Sequence, residues 1–121
     1  MQDPPTSPPT ARAARMLSAA EVSALRPVLD RLVAVLHAEE VWLFGSRAEA
    51  RARPGSDYDL LAVLPDGAPK GDLDPIRAWS MVRDLGVPVD VVPCTRSEFE
   101  EEKHELDTLA RAAFLRGIQV V

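Results

Sequence analysis

The fold of this chain is decided by two short stretches of sequence, VWLFGS at residues 41–46 and DYDLLAVL at residues 57–64. The first begins with four apolar residues that Gly45 interrupts, a pattern typical of a central strand buried on both faces. The second predicts a strand from Tyr58 to Leu64, closed by a turn that contains proline and glycine. Both stretches therefore predict a β-sheet at the centre of the molecule.

Helical patterns lie on either side of these strands. Ser18 and Glu21 have capping-box spacing, which predicts a helix that extends to about His37, with Pro27 expected to kink or restart it. A second helix is predicted to begin at Asp74, which can cap it, and to stop at Gly86. Its expected buried face consists of Ile76, Trp79, Val82 and Leu85.

The remaining strands and the last helix complete the pattern. A third strand is expected over Val87–Val92, ended by Pro93, and a charged helix follows Ser97 and stops at Gly117. The expected core contacts of that helix are Phe99, Leu106, Leu109, Ala113 and Phe114. Ile118–Val121 can add an edge strand. Strands and helices in this order predict an α+β fold, a mixed β-sheet flanked by helices.

Length and composition indicate how many domains the chain can form and where the folded part begins. A chain of 121 residues, 46% of them apolar, suits one domain with a single core. Residues 1–15 are rich in Pro, Thr and Ser and have little to bury, so we expect a disordered tail before a domain at residues 16–121.

Charge and cysteine content limit the partners and the compartment. The net charge of −5 argues against a general nucleic-acid-binding surface, because binding phosphates requires an excess of Lys and Arg. One cysteine, Cys94, cannot form an internal disulfide, and no apolar run approaches the roughly 20 residues of a membrane span. A cytoplasmic protein without a membrane segment is therefore expected.

Three aspartates are the candidate metal ligands. Because side chains alternate along a strand, Asp57 and Asp59 should point to the same side, about 6.5 to 7 Å apart along the backbone. Two such carboxylates repel each other unless a cation lies between them, and Mg²⁺ favours carboxylate oxygens. Asp90 lies within an apolar strand, where an aspartate is costly unless it is paired, metal-bound or at the end of the sheet. An Asp-x-Asp at a strand start can also be turn chemistry alone.

The turn after the first strand is the candidate phosphate-binding element. Gly45 allows a phosphate to approach the backbone closely, and the following amides and the hydroxyl of Ser46 can donate to its oxygens. A helix that begins at about Ser46 would add its positive end. Arg47 is a candidate phosphate ligand, with an ordinary surface arginine as the alternative.

Together these residues resemble the signature of the nucleotidyltransferase superfamily that includes polymerase beta, kanamycin nucleotidyltransferase and small stand-alone bacterial and archaeal members. That signature is an apolar strand with Gly-Ser, a spacer, Asp-x-Asp and a third Asp on a later strand. Here it corresponds to Gly45-Ser46, Asp57-Tyr58-Asp59 and Asp90. The resemblance implies a polymerase-beta-like nucleotidyltransferase fold and transfer of a nucleoside monophosphate from a nucleotide triphosphate such as ATP.

The resemblance also implies a role for each site residue. Asp57 and Asp59 would hold two Mg²⁺ ions, and Asp90 would join one ion and help to deprotonate the attacking hydroxyl. Gly45 and Ser46 would bind the outer phosphates.

One departure from the family pattern leaves a second function open. Many members continue Gly-Ser-x-Ala with Arg-Gly, whereas this chain has Glu49 and Ala50. An acidic residue near the phosphates and the loss of a flexible glycine could each weaken nucleotide binding. The alternative is therefore a catalytically weak or inactive nucleotide-binding protein that neutralises its partner by contact.

The acceptor is expected on another protein, because the chain ends soon after Asp90 and offers little sequence for an acceptor pocket. Small stand-alone members of the family commonly work as antitoxins that adenylylate a helical HEPN ribonuclease toxin, and the resemblance implies the same role here. The sequence leaves open whether the chain also forms homo-oligomers.

Overall fold

The computed structural model describes residues 17–49, 51–53 and 55–121, so the predicted tail at residues 1–15 lies outside the described residues. The helices are α1 (Ala19–Leu36), α2 (Pro75–Val82), α3 (Arg96–Glu102) and α4 (Leu109–Arg116), with short 3-10 turns at Lys70–Leu73 and Arg83–Leu85. The strands are β1 (Glu40–Phe44), β2 (Tyr58–Leu64), β3 (Val89–Thr95) and β4 (Ile118–Gln119). No helix among the described residues is long and apolar enough to cross a bilayer.

The four strands form one mixed sheet in the order β3-β2-β1-β4. β2 and β3 are parallel and are connected through α2, while β1 is antiparallel to both β2 and β4. One face of the sheet packs against α1 and α2, and the other packs against α3 and α4. The predicted α+β fold, a mixed sheet flanked by helices, is confirmed.

Helix α1 is continuous through Pro27, so of the two predicted effects, a kink or a restart, the restart is wrong. Ser18 accepts from the amide of Glu21, and the side chain of Glu21 accepts from the amide of Ser18, which confirms the capping box. The buried residues Leu25, Val28, Leu32 and Leu36 continue across the proline and hold both halves against the sheet. Pro27 itself is exposed, so the backbone group that it leaves unpaired faces water.

Strand β3 runs through Pro93, where the sequence predicted its end. Proline has no amide to donate, but an edge strand leaves one side of its backbone outside the ladder and tolerates it. Because β3 is an edge strand, it continues from Val89 to Thr95.

The buried face of α2 differs from the predicted one. Asp74 caps the helix through the amide of Ile76, as expected. However, Ile76 is 73% exposed and Trp79 is 41% exposed, while Ala78 and Val82 are buried. The small Ala78 side chain lets this short helix lie close to the sheet, and the two large side chains consequently remain at the surface.

The charged C-terminal segment forms two helices, where the sequence predicted one. Asp107 has a φ of 65°, and Thr108 caps α4 by accepting from the amide of Arg111. The break between the helices directs the side chains of Leu106 and Leu109 toward solvent, and these residues are 77% and 48% exposed. Of the other predicted contacts, Phe99 and Ala113 are buried and Phe114 is half-buried.

We expect Gly117→Ala to destabilise the domain, because Gly117 lies where the end of α4 packs against β1 at Leu43. A Cβ there would lie 2.6 Å from the carbonyl oxygen of Leu43 and in contact with that of Ala113, and both are backbone atoms that cannot rotate away. The expected loss is about 1 to 3 kcal/mol, as for other overpacked sites, measured by chemical denaturation. Gly67→Ala is the matched control, since nothing lies within 4 Å of its added Cβ. Equal stability of the two variants would contradict this packing.

Candidate functional site

The register of the sheet brings two of the three candidate aspartates together. Asp59 on β2 is the partner of Asp90 on β3, and Phe44 on β1 is the partner of Asp59 on the other side. Alternation places Asp59 on the same face as Leu61, which belongs to the apolar cluster beneath α3 and α4. The two carboxylates therefore lie at the end of the sheet, one step beyond the core.

Asp57 completes a group of three negative charges. It directly precedes β2 and is exposed, as is Asp90, whereas Asp59 is half-buried. Burial raises the pKa of Asp59 above its ordinary value, and the negative charges of Asp90 and Asp57 raise it further. Repulsion between these carboxylates is thus a property of the folded chain.

Gly45 is required by the position of Asp59. Its φ is +74°, in the left-handed region that favours glycine, and a Cβ at this position would lie 2.5 Å from Oδ2 of Asp59. The sequence predicted a glycine that makes room for a phosphate. In the structure this glycine also makes room for one of the candidate metal ligands, a contact that the sequence did not indicate.

A hydrogen-bonded turn, and not the predicted helix, follows Gly45. The amides of Ala48 and Glu49 donate to the Gly45 carbonyl at 3.1 and 3.2 Å, and residues 46–49 form turns. Ala48 is fully buried and anchors the turn to the core. Ser46 is half-buried, and its hydroxyl makes no hydrogen bond with any described residue.

Arg47 is engaged within the protein. Its Nε and Nη2 donate to the carbonyl oxygen of Ser56 at 3.1 and 2.8 Å, and its guanidinium carbon lies 4.4 Å from the centre of the Tyr58 ring. Its Nη1 is 3.8 Å from the carboxylate of Glu21. A phosphate-binding role for Arg47 stays a prediction, and its observed contacts connect the turn to the start of β2.

Glu49 has two cationic neighbours. Its Oε2 is 3.4 Å from Nη2 of Arg51 and 3.8 Å from Nε of Arg116. The acidic residue that departs from the family pattern is therefore partly neutralised in place. Ala50, the other departure, lies outside the described residues.

A recess of about 320 Å³ opens beside Asp57. The residues that line it are Asp57, Trp79, Arg83, Gly86, Val87, Pro88 and Val89. The guanidinium carbon of Arg83 lies 5.4 Å from the centre of the Trp79 ring, and Arg83 forms no ion pair with a described residue. The sequence missed this surface because Trp79 was predicted in the core.

A larger cavity, of about 390 Å³, lies between α1 and the C-terminal residues 118–121. Its lining is mainly apolar and includes none of the candidate site residues. Size alone would favour it as a ligand site, but the carboxylates and the exposed turn lie elsewhere. The end of the sheet at Asp59 and Asp90 therefore stays the candidate site.

The donor set at this end suits a hard divalent cation. In the ranges that the structure describes, no three or more His, Cys, Asp or Glu side chains are grouped so that they could hold a metal ion as they stand. The three aspartates offer only oxygen atoms. Burial first, and then the charges of Asp90 and Asp57, raise the pKa of Asp59, and a bound cation would relieve the part that is due to charge repulsion. The residues therefore fit Mg²⁺ by their chemistry.

Comparison with known proteins identifies the family. No curated protein is similar enough to give a match. Among solved structures, the chain is similar to a protein from Sulfolobus solfataricus provisionally assigned as a nucleotidyltransferase, with 22% identity, a TM-score of 0.49 and coverage of 66% of this chain and 71% of that one. This distant likeness carries no argument about function. The family model of the nucleotidyltransferase domain, however, matches residues 22–115. Since that match covers most of the residues of this chain, the chain belongs to the nucleotidyltransferase domain family.

Proposed function

We propose that this domain transfers AMP from ATP to a hydroxyl group on a partner protein, with the help of Mg²⁺. Membership of the family supports nucleotidyl transfer in general. The observation that carries the proposal is the register pair of Asp59 and Asp90. Within that pair, Asp59 lies against Gly45 and close enough to Asp57 for the two charges to interact.

Three carboxylates are assigned to the metal ions. Asp57, Asp59 and Asp90 would hold two Mg²⁺ ions, which when bound lower the pKa of the acceptor hydroxyl and offset the charge of the departing pyrophosphate. Asp90 also accepts the proton of the acceptor hydroxyl. The acceptor oxygen forms a bond to the α-phosphorus, and the bond between that phosphorus and the bridging oxygen breaks as pyrophosphate leaves.

The turn after β1 is assigned to the phosphates. The hydroxyl of Ser46 is free of hydrogen bonds with described residues and is available to donate to a phosphate oxygen. Gly45 keeps this turn close to Asp59, so a triphosphate bound at the turn would place its α-phosphorus near the carboxylates.

The acceptor is assigned to the recess beside Asp57. The turn after β1 lies on one side of β2, and the recess lies at the start of β3, on the other side. In an in-line displacement the attacking hydroxyl approaches opposite the leaving pyrophosphate. The surface of Trp79, Val87 and Pro88 is therefore the side from which a segment of the partner would enter.

For the partner we propose a helical HEPN-type toxin, with this chain as its antitoxin, because the family resemblance described above implies that pairing. The competing function is neutralisation by contact without catalysis. The ion pairs of Glu49 with Arg51 and Arg116 favour the enzyme, because they offset the negative charge that would oppose a triphosphate.

A transfer assay on the co-purified partner tests this function. We expect ATP labelled at its α-phosphate, with Mg²⁺, to label the partner and to increase its intact mass by one or more adenylates. Asp90→Ala should stop labelling while it leaves partner binding intact, because the side chain is exposed at the end of an edge strand and supports no core contact. A partner that is neutralised but stays unmodified would overturn the enzyme and favour the contact-only function.

A further inference from the structure

We infer that Arg47 is a positioning residue that holds Asp57 in place by clamping the residues on both sides of it. The inference rests on the proposed function, in which Asp57 is a metal ligand. It gives Arg47 a different role from the phosphate ligand that the sequence predicted.

Arg47 contacts both residues that flank Asp57 in the sequence. Two arms of the guanidinium donate to one carbonyl oxygen, that of Ser56, at 3.1 and 2.8 Å. The flat face of the same group covers the ring of Tyr58 at 4.4 Å from its centre. Ser56 and Tyr58 directly precede and follow Asp57. One side chain therefore holds the backbone before the candidate ligand and the ring of the residue after it.

The clamp is itself anchored to the first turn of α1. Nη1 of Arg47 is 3.8 Å from Oε2 of Glu21, and the two side chains are only 19% and 16% exposed. Glu21 is in turn held by the amide of Ser18 in the capping box. Helix α1 therefore restrains the side chain of Arg47, which suits a residue that positions another group.

Asp57 needs such support because the sheet does not supply it. It lies before the first residue of β2, it is exposed, and it carries a charge that interacts unfavourably with Asp59. The backbone hydrogen bond between the strands that is next to Asp57 in sequence is donated by the amide of Tyr58 to the carbonyl of Pro88, at 2.8 Å. Without Arg47, the carboxylate of Asp57 can move away from its like-charged neighbour.

A lysine separates the clamp from the phosphate-ligand role. Lysine keeps the positive charge that a phosphate needs, but it has neither the fork that grips one carbonyl nor the planar face that stacks on a ring. Arg47→Lys therefore removes the clamp and preserves a cation. Arg96→Met is the matched control, because Arg96 is also partly buried and bonded, to Glu39, Glu40 and Glu100, but these contacts lie at the other end of β3.

The first measurement needs no nucleotide. In metal-free protein, we expect hydrogen exchange at the amide of Tyr58, which donates to the carbonyl of Pro88, to be faster in Arg47→Lys than in the wild type and unchanged in Arg96→Met. Mn²⁺ titration, followed by water-proton relaxation, should show binding about tenfold weaker in Arg47→Lys, the equivalent of roughly 1.4 kcal/mol. Arg96→Met should lower the melting temperature and leave Mn²⁺ affinity at the wild-type value.

The opposite pattern overturns the clamp. If Arg47→Lys keeps wild-type exchange, Mn²⁺ affinity and kcat while Arg47→Met raises the KM for ATP, Arg47 acts through its charge on phosphate. That result would leave the proposed function intact. A wild-type protein that binds neither Mn²⁺ nor ATP would overturn the metal-dependent function and, with it, the purpose assigned to the clamp.

Discussion

Asp59→Asn lowers the rate of nucleotidyl transfer by about 10³-fold or more, and in metal-free buffer at neutral pH it raises the melting temperature. The loss of rate follows because metal-held charge stabilises the transition state by several kcal/mol, and each 1.36 kcal/mol is a factor of ten. The gain in stability follows because the charge of Asp59 is partly buried and is also repelled by Asp90 and Asp57. An amide of the same shape removes the charge and keeps the packing.

The pH dependence of that gain has a definite sign. The pKa of Asp59 is raised in the folded protein above its ordinary value, which the unfolded chain retains. Ionisation of Asp59 therefore costs folding stability, and the cost is complete once the pH exceeds the raised pKa. As the pH falls through the raised pKa, the wild type regains this stability, and below the ordinary value the difference disappears. The advantage of Asp59→Asn should be largest at neutral pH and vanish in acid.

The gain in stability is checked by melting curves recorded across this pH range in the presence of a chelator. The loss of activity is checked separately by transfer rates with Mg²⁺. Glu101→Gln is the control, because Glu101 is an exposed carboxylate on α3 and forms no ion pair with a described residue. It should change neither the transfer rate nor the pH profile appreciably. Wild-type transfer by Asp59→Asn would refute the metal assignment, and an unchanged melting temperature at neutral pH would refute the repulsion.

Gly45→Ala separates backbone strain from displacement of the Asp59 carboxylate, the proposed metal ligand. Gly45 and Gly55 both have left-handed backbones, with φ of +74° and +87°, so alanine at either position should cost about 1 to 2 kcal/mol of stability. Only at Gly45 does the added Cβ meet Asp59, at 2.5 Å from Oδ2, whereas nothing lies within 4 Å at Gly55. The end of a side chain can move, so the fold survives and the carboxylate shifts.

We therefore expect similar losses of stability in the two alanine variants but very different losses of activity. Misplacement of a reacting group by about 1 Å can cost on the order of 10²-fold in rate, so Gly45→Ala should lose transfer by at least that factor. Denaturant unfolding gives the stabilities, and transfer rates at saturating ATP and Mg²⁺ give the activities. Equal activity in Gly45→Ala and Gly55→Ala would mean that the contact with Asp59 is not part of the mechanism.

Sequence by itself determined the features that arise from local chemistry. The bounds of β2 at Tyr58 and Leu64, the capping box at Ser18 and the cap at Asp74 were all predicted as the structure has them. Each is set by residues a few positions apart, through strand alternation or through a side chain that bonds a nearby amide. The spaced signature of Gly45-Ser46 and the three aspartates indicated the family because residue types and spacings can be compared along the chain without knowledge of the fold.

Tertiary structure alone decided which residues meet. Trp79 was predicted in the core and lies instead in a recess beside Asp57, because packing through Ala78 sets the rotation of α2. Asp59 contacts Gly45, and Arg47 grips Ser56 and Tyr58, because the antiparallel pairing of β1 with β2 brings the end of one strand to the start of the other. Periodicity shows that a face is apolar, but which partner covers it depends on the register and rotation of elements far apart in sequence.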